Sequence, residues 1–122
     1  DALDFSTSKV SVENTHIINS GDKAISAGEN SEINLKEVII DQSKIGIASK
    51  DSSIVIGDDI QILNTQIALA SYVKKDIYES PVIKIFNSTI ENSEIHFLSE
   101  ENFTISYNGK EQEKTQFDFS SL

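Results

Sequence analysis

Residues 40–47, with the sequence IDQSKIGI, have a close counterpart in residues 62–69, with the sequence ILNTQIAL. Each stretch begins with isoleucine, has an amide at its third position and a hydroxyl at its fourth, and ends in two apolar residues separated by one residue. The isoleucine, amide and hydroxyl occur four times, and the hydroxyl residues are 23, 22 and 28 positions apart; the final apolar pair is missing from the first copy, which has Lys23/Ile25 instead. The four sets are Ile17, Asn19 and Ser20; Ile40, Gln42 and Ser43; Ile62, Asn64 and Thr65; and Ile90, Asn92 and Ser93. An internal repeat of about 22 residues is the dominant signal in the chain.

Apolar residues that alternate with polar ones surround each repeat marker, as expected for short β-strands. The pairs are Val10/Val12, Ile33/Leu35, Ile54/Ile56, Ile83/Ile85 and Phe103/Ile105 before the markers, and Ile45/Ile47, Ile67/Leu69 and Ile95/Phe97 after them. The pattern predicts an all-β fold, a right-handed parallel β-helix of four to five coils with three short strands per coil. A β-sandwich is the alternative, but it needs several hairpin turns, and Asn108-Gly109 is the only dipeptide that favours one.

The ends of the chain depart from the repeat, which covers about residues 8–106. We expect residues 1–122 to form one domain excised from a longer protein, with residues 107–122 as a polar turn and a final strand that cap the last coil. Leu3 and Phe5 are expected to cap the first coil. The amide column of Asn19, Gln42, Asn64 and Asn92 is expected to form an inward ladder of hydrogen bonds.

The charge balance excludes some classes of partner. The chain has 20 acidic and 10 basic residues, a net charge of −10, and every basic residue is lysine. Nucleic acids and anionic membranes require a basic surface, so we expect no nucleic-acid partner. No apolar run reaches the roughly 18–20 residues of a membrane span.

The repeat resembles that of the pectin-lyase-like superfold of right-handed β-helices. Residues 19–26, 45–52 and 68–75 more narrowly resemble the β-helix segment of bacterial surface proteins that carry spore-coat-kinase-like (CotH-type) domains. The narrower resemblance covers about residues 14–85, and it implies a secreted or cell-surface location in a bacterium. It implies no kinase activity, because no kinase domain is present in the chain.

Residues suited to catalysis or metal binding are few. Polysaccharide lyases and epimerases of this superfold use acidic metal ligands and a basic catalytic residue; pectate lyases use an arginine base, and the chain has no arginine. We expect no cofactor and take Asp58 and Asp59 as part of a solvated turn; the alternative is a calcium site, with Asp51 and Glu37 near them on neighbouring coils, because Ca²⁺ prefers several oxygen ligands. His16 and His96 lie in different columns of the repeat and form no ligand cluster, and His96 is expected on the surface.

An insertion of about six residues explains the spacing of 28 between Thr65 and Ser93. It lies between Tyr72 and Pro81. Insertions in solenoids often form binding surfaces, and this one contains the densest basic and aromatic cluster of the chain. The candidate binding residues are therefore Tyr72, Lys74, Lys75 and Tyr78, and the alternative is a surface loop that covers the core.

A stripe of small residues is the second candidate site. If Ile25, Ile47, Leu69 and Phe97 point inward, their neighbours point outward, and most of these are small. The stripe consists of Ala24, Gly46, Ala48, Ala68 and Ala70, and Ser26, His96 and Leu98 extend it. A solvated β-face usually carries larger polar side chains. We therefore expect the stripe to be covered by the Tyr72–Pro81 loop or by another protein.

These features together indicate a noncatalytic β-helix module of a secreted or cell-surface protein. Such a module acts as a spacer or binds a protein or glycan, and we expect it to be a monomer. The alternatives are a fragment of a polysaccharide lyase or epimerase, and a structural subunit that stacks end to end.

Overall fold

The computed structural model describes all residues from 1 to 122 and is an all-β solenoid of about five turns. Its coils contain about 22 residues and stack mostly as parallel sheet, so the predicted fold class is confirmed. The elements are β1 (Leu3–Phe5), β2 (Lys9–Ala27), β3 (Glu32–Lys50), β4 (Ile54–Tyr72), β5 (Val82–Phe86), β6 (Thr89–Glu91), β7 (Ile95–Ser99), β8 (Ile105–Tyr107), β9 (Lys110–Glu111) and a 3₁₀ helix (Phe119–Ser121).

Strand pairing between successive coils places residues of the same type one above the other. Strands β2, β3 and β4 each form one coil and pair in parallel along most of their length, and β5, β6 and β7 together form the fourth coil on β4. Ile17, Ile40, Ile62 and Ile90 are register partners in succession, and Ile40 and Ile62 are fully buried. The predicted inward isoleucine column is confirmed.

The coils bend at corners where the backbone is left-handed: two corners recur in all four coils, and a third, between successive coils, comprises Thr7, Asn30 and Asp51-Ser52. The first corner comprises Asn14, Glu37, Asp59 and Asn87, with φ from 50° to 57°. The second comprises Asn19, Gln42, Asn64 and Asn92, with φ from 55° to 64°. Asparagine and aspartate adopt this conformation more readily than other non-glycine residues. The repeated amide therefore marks a corner of the coil.

The predicted inward orientation of the amide column is wrong, because the second-corner side chains are exposed. The left-handed residue projects its side chain away from the interior. A partial ladder forms outside: the Nδ2 of Asn92 donates to the Oδ1 of Asn64 at 2.6 Å, and the Nδ2 of Asn64 donates to the Oδ1 of Asp41 at 2.8 Å. The amides thus link coils from the surface.

Two of the predicted apolar pairs were placed in the wrong register. Val55 and Gly57, and not Ile54 and Ile56, continue the inward column of Ile33 and Leu35. Ile54 and Ile56 are 40% and 42% exposed. A one-residue shift along a strand moves every side chain to the opposite face. The register is hard to recognise in the sequence because glycine occupies an inward position. A Cβ on Gly57 would lie 2.9 Å from Cγ1 of Ile60, so the interior has no room for a side chain there.

The last coil shows a second error, an offset of two residues. Ile105 and Tyr107, and not Phe103 and Ile105, pair with Ile83 and Ile85. Phe103 is 58% exposed. Ile83 and Ile105 are 22 residues apart, the ordinary length of a coil, so the predicted pair Phe103/Ile105 begins two residues too early.

Both ends carry partial coils. Strand β1 pairs in parallel with the end of β2, and Leu3 and Phe5 pack against the core, as expected of a cap. At the other end β8 and β9 form the one antiparallel pair. Their turn is Asn108-Gly109, in which both residues have positive φ, as a two-residue hairpin of this kind requires.

The isoleucine column predicts a large effect of truncation at its centre. Ile62→Ala removes three buried carbon atoms between two fixed coils that cannot close the cavity, and should lower the free energy of unfolding by about 2–5 kcal/mol. Urea denaturation measures this change. Ile18→Ala is the control, because Ile18 is 55% exposed, and its effect should stay within about 0.5 kcal/mol. Equal effects of the two changes would contradict the inward column.

Candidate functional site

An open groove lies on the outer surface of the first strand segments, which cover residues 9–13, 32–36, 54–58 and 82–86. We call this surface the groove face. Register places Glu13, Lys36, Asp58 and Phe86 in one row across four coils, with Ser11, Asn34 and Ile56 in the row beside them. The groove has a volume of about 890 Å³.

One wall of the groove comes from the first corner of the fourth coil and from the hairpin turn. Asn87, Ser88, Asn108 and Gly109 line it. The Asn108 side chain accepts from the Ser88 N–H at 3.0 Å and donates to the Ser88 carbonyl at 2.9 Å. The Ser88 hydroxyl donates to the Phe86 carbonyl at 2.7 Å and accepts from the Ile60 N–H at 3.1 Å. These bonds fix the wall before any ligand binds.

The floor of the groove combines charged and apolar side chains. Adjacent residues of the Glu13, Lys36, Asp58 row lie roughly 4.8 Å apart, the spacing of hydrogen-bonded strands, so carboxylate and ammonium groups alternate along it. Asp58 accepts a hydrogen bond from the Nδ2 of Asn87 at 2.9 Å. The Phe86 side chain, next to Asp58 in register, is 42% exposed. The groove thus offers an aromatic surface among hydrogen-bonding groups.

The candidate calcium ligands do not form a cluster. Asp58 lies on the groove face, whereas Asp59 is at the first corner with Glu37 as its neighbour on the preceding coil. Asp51 is elsewhere: it is buried, and its Oδ1 accepts the backbone N–H groups of Lys74 and Lys75 at 2.6 and 3.0 Å. No three His, Asp or Glu side chains of the chain converge as a metal ion would require.

The predicted insertion is a loop, as expected, since nine residues separate β4 from β5 and three separate β3 from β4. Lys74 and Tyr78 line one open depression of about 880 Å³ together with acidic residues, whereas Tyr72 does not lie in it. Tyr72 is buried, whereas Lys74 and Lys75 are exposed and Tyr78 is half-buried. Lys75 forms an ion pair with Glu29 two coils away, and this hydrogen bond lowers the pKa of the Glu29 carboxyl. The loop is therefore held against the solenoid by the hydrogen bonds to Asp51 and by the ion pair with Glu29.

The small-residue stripe is covered, but it does not lie on one face as predicted. Ala24 and Ala68 belong to the interior core, and a Cβ on Gly46 would lie 3.0 Å from Cγ2 of Ile62. Their predicted outward orientation is wrong. In each of these coils two consecutive residues pack in the interior, such as Ala68 and Leu69, so strict alternation fails.

Ala48 and Ala70, the other members of the stripe, belong to a second apolar cluster outside the main core. Its buried members are Ile45, Ala48, Ile67, Ala70, Tyr72 and Leu98. We call the surface that they form the strap face, after the C-terminal segment that packs against it. Phe119 and Leu122 from the C-terminal end of the chain pack against it. Ala48 and Ala70 are therefore covered by Phe119 and Leu122 of the C-terminal segment together with Tyr72, the first residue of the predicted loop.

Sequence reasoning missed the groove. Its wall depends on Asn87, Asn108 and Gly109, which the sequence marks only as turn residues, and its floor depends on the outward orientation of Ile56. Once Val55 and Gly57 are assigned to the interior, the exposed positions of Ile56, Asp58 and Phe86 follow from alternation. A glycine in an apolar column was the available signal.

Comparisons of the chain with protein-family models, curated proteins and solved structures find no match. No helix is long and apolar enough to cross a membrane. The groove face is therefore assigned as a candidate site from its geometry alone.

Tyr72 has an unusual environment. Its side chain is 1% exposed, and its hydroxyl is buried without a hydrogen-bond partner. Burial, with smaller contributions from Asp22 and Asp51, raises the pKa of Tyr72 to about 12. A buried hydroxyl without a partner costs roughly 1–3 kcal/mol.

We predict that Tyr72→Phe leaves the free energy of unfolding at pH 7 unchanged or raises it by up to about 1 kcal/mol, because it removes an unpaired polar group. Tyrosine ionises near pH 10 in the unfolded chain and about 12 in the fold. The contribution of Tyr72 to stability is thus complete below pH 10 and is lost as the pH rises towards 12. Urea denaturation between pH 9 and 12 should show a weaker pH dependence in Tyr72→Phe than in the wild type and in the control Tyr78→Phe. Identical pH dependence in all three would contradict the burial of Tyr72.

Proposed function

We propose that the chain is a noncatalytic binding module of a secreted or cell-surface protein and that its groove face binds a neutral glycan. The observation that carries the proposal is the half-exposed Phe86 ring, which lies in an open groove beside Asp58 and Asn87. A sugar ring has an apolar face and a rim of hydroxyls. An aromatic ring can pack against the face while amides and carboxylates bind the hydroxyls.

Charge favours a neutral ligand over a polyanionic one. The groove contains Glu13 and Asp58 with Lys36 between them, and the whole chain has a net charge of −10. A uronate polymer would be repelled over long range. Hydroxyl groups can instead accept from Lys36 and Asn34 and donate to Asp58.

A noncatalytic role agrees with the exposure of the groove carboxyls. Glycoside hydrolysis needs a pair of carboxyls, one of them kept protonated by its surroundings. Glu13 and Asp58 are both exposed, and Lys36 lies between them in register. Lyase chemistry needs a base and a group that neutralises the uronate close to each other, and Lys36 and Lys84 lie two coils apart and in different rows of the groove face.

The resemblance of residues 14–85 to the β-helix segment of CotH-type bacterial surface proteins supports the surface location. A protein ligand is the second candidate, and the exposed Ile54, Ile56 and Phe86 favour it, because contiguous exposed apolar residues often mark protein contacts. Stacking into fibres is less favourable, since the β8–β9 hairpin occupies part of one end.

The proposal predicts that the intact chain binds at least one member of a panel of neutral oligosaccharides, such as cello-, xylo- and manno-oligosaccharides, in isothermal titration calorimetry. Phe86→Ala should weaken that binding about tenfold or more, because it removes the aromatic anchor. Phe103→Ala is the matched control: Phe103 is exposed but lies outside the groove lining, so affinity should not change. Absence of binding to the whole panel, or equal affinity of Phe86→Ala and the wild type, would refute the glycan proposal.

We also predict that the chain forms no unsaturated uronate from pectate or alginate, with or without calcium. Ultraviolet absorbance of the unsaturated product measures this. Product formation that disappears on Lys36→Ala, Lys74→Ala or Lys75→Ala would show that the chain is a lyase and not a binding module.

A further inference from the structure

The strap face is an apolar surface on the outside of the solenoid. Ile45 and Ile67 are register partners, as are Ala48 and Ala70, and Leu98 continues the alanine row on the fourth coil. Lys23 and Ser26 occupy the same two rows on the first coil. The alanines make a shallow strip between larger side chains. A side chain from outside can therefore approach the sheet backbone closely along this strip.

The C-terminal segment places two side chains on this surface. Phe119 and Leu122 are half-buried against it, and the rings of Phe119 and Tyr72 have centroids 6.1 Å apart. Residues 119–121 form a 3₁₀ turn, in which residues three apart lie on the same side. Phe119 and Leu122 are three apart, so one short turn presents both of them to the strap face.

The turn is stabilised by its own residues. Asp118 caps it: its Oδ1 accepts from the N–H of Ser120 at 3.1 Å and from the hydroxyl of Ser120 at 2.5 Å. The Ser121 and Leu122 N–H groups donate to the carbonyls of Asp118 and Phe119. A short peptide with this sequence therefore contains the bonds that shape it.

The attachment of the segment to the solenoid is sparse. Thr115 is the last anchor, with a backbone bond to the Ser99 carbonyl at 2.8 Å and a hydroxyl bond to the Phe97 carbonyl at 3.3 Å. The hydrogen bonds made by residues 116–122 all stay within the segment. Phe117 is 39% exposed. The side chains of Phe119 and Leu122 thus provide the contact beyond Thr115.

The Tyr72 hydroxyl adds a second, independent feature. It is buried on the strap face without a hydrogen-bond partner, and it belongs to the same cluster as the covered alanines. Phe119 of the segment packs beside the Tyr72 ring, so lifting the segment removes one of its neighbours. A ligand with a hydrogen-bonding group at this position could satisfy the hydroxyl. The closed arrangement therefore leaves a polar group unsatisfied that an alternative occupant can bind.

We propose that residues 116–122 are a displaceable strap, and that the strap face beneath them is a docking site for a partner peptide with an aromatic residue and an aliphatic residue three positions later. The strap occupies this site in the same chain and competes with the partner. This interaction is separate from the groove face, so it stands or falls independently of glycan binding.

The test uses the full chain and a fluorescein-labelled peptide of residues 113–122 as probe. The double variant Phe119→Ala/Leu122→Ala removes the two docking side chains and leaves the chain length unchanged. Fluorescence anisotropy should show that the peptide binds this variant at least tenfold more tightly than it binds the wild type, whose site is occupied. Phe103→Ala, a surface change away from the strap face, should bind the peptide as weakly as the wild type.

Adding Ala70→Lys to the double variant should abolish binding, because the lysine blocks the alanine strip. A folded double variant that does not bind the peptide would overturn the proposal, as would undiminished binding in the presence of Ala70→Lys.

If the double variant fails to fold, hydrogen exchange on the wild type tests whether residues 116–122 open while the rest of the chain stays folded. The Ser121 and Leu122 amides should exchange at least a hundredfold faster than those of Ile40 and Ile62, and at a rate independent of low denaturant concentrations. Protection equal to that of the core strands would show that the segment opens only when the whole chain unfolds, and the proposal would be wrong.

Discussion

Parallel stacking of each coil on the one before it determines where the other side chains lie. Once Ile40 pairs with Ile17 and Ile62 with Ile40, the pleat assigns each neighbouring residue to the interior or the surface. The interior is narrow, so every coil must supply similar volumes at equivalent positions, and where one coil lacks a side chain a neighbour fills the space, as Ile60 does beside Gly57. The groove face and the strap face are the outer surfaces of this same stacking.

The corners are the second requirement of the fold, because a coil of about 22 residues closes only if the chain turns sharply at fixed places. Left-handed residues make these turns, and asparagine recurs there because it tolerates positive φ. Their exposed amides then lie above one another and link coils through side chains, as Asn64 and Asn92 do. A corner residue can therefore both turn the chain and form part of a surface site. Asn87 makes the turn in the fourth coil and also lines the groove.

The sequence was sufficient to predict the solenoid, its period, the isoleucine column and the loop after Tyr72. Spacing carries that information, because equivalent residues in a stacked coil recur at the coil length. The sequence was insufficient where alternation is broken. Gly57 occupies an inward position without an apolar side chain, so the register of its coil was assigned wrongly. Ala68 and Leu69 both lie in the interior, so alternation assigned Ala68 to the outer surface by mistake. The C-terminal cover could not be predicted because Phe119 and Leu122 lie outside the repeat, and their position depends on a hydrophobic contact distant in sequence.

Nuclear Overhauser effects between isoleucine methyl groups test the stacked column most directly. In a selectively methyl-labelled sample, the account predicts contacts from Ile17 to Ile40, from Ile40 to Ile62 and from Ile62 to Ile90, together with the backbone pattern of parallel strands between β3 and β4. Contacts between strands adjacent in sequence, with the antiparallel pattern of successive hairpins and no contact between Ile40 and Ile62, would contradict the solenoid and every surface assigned from it.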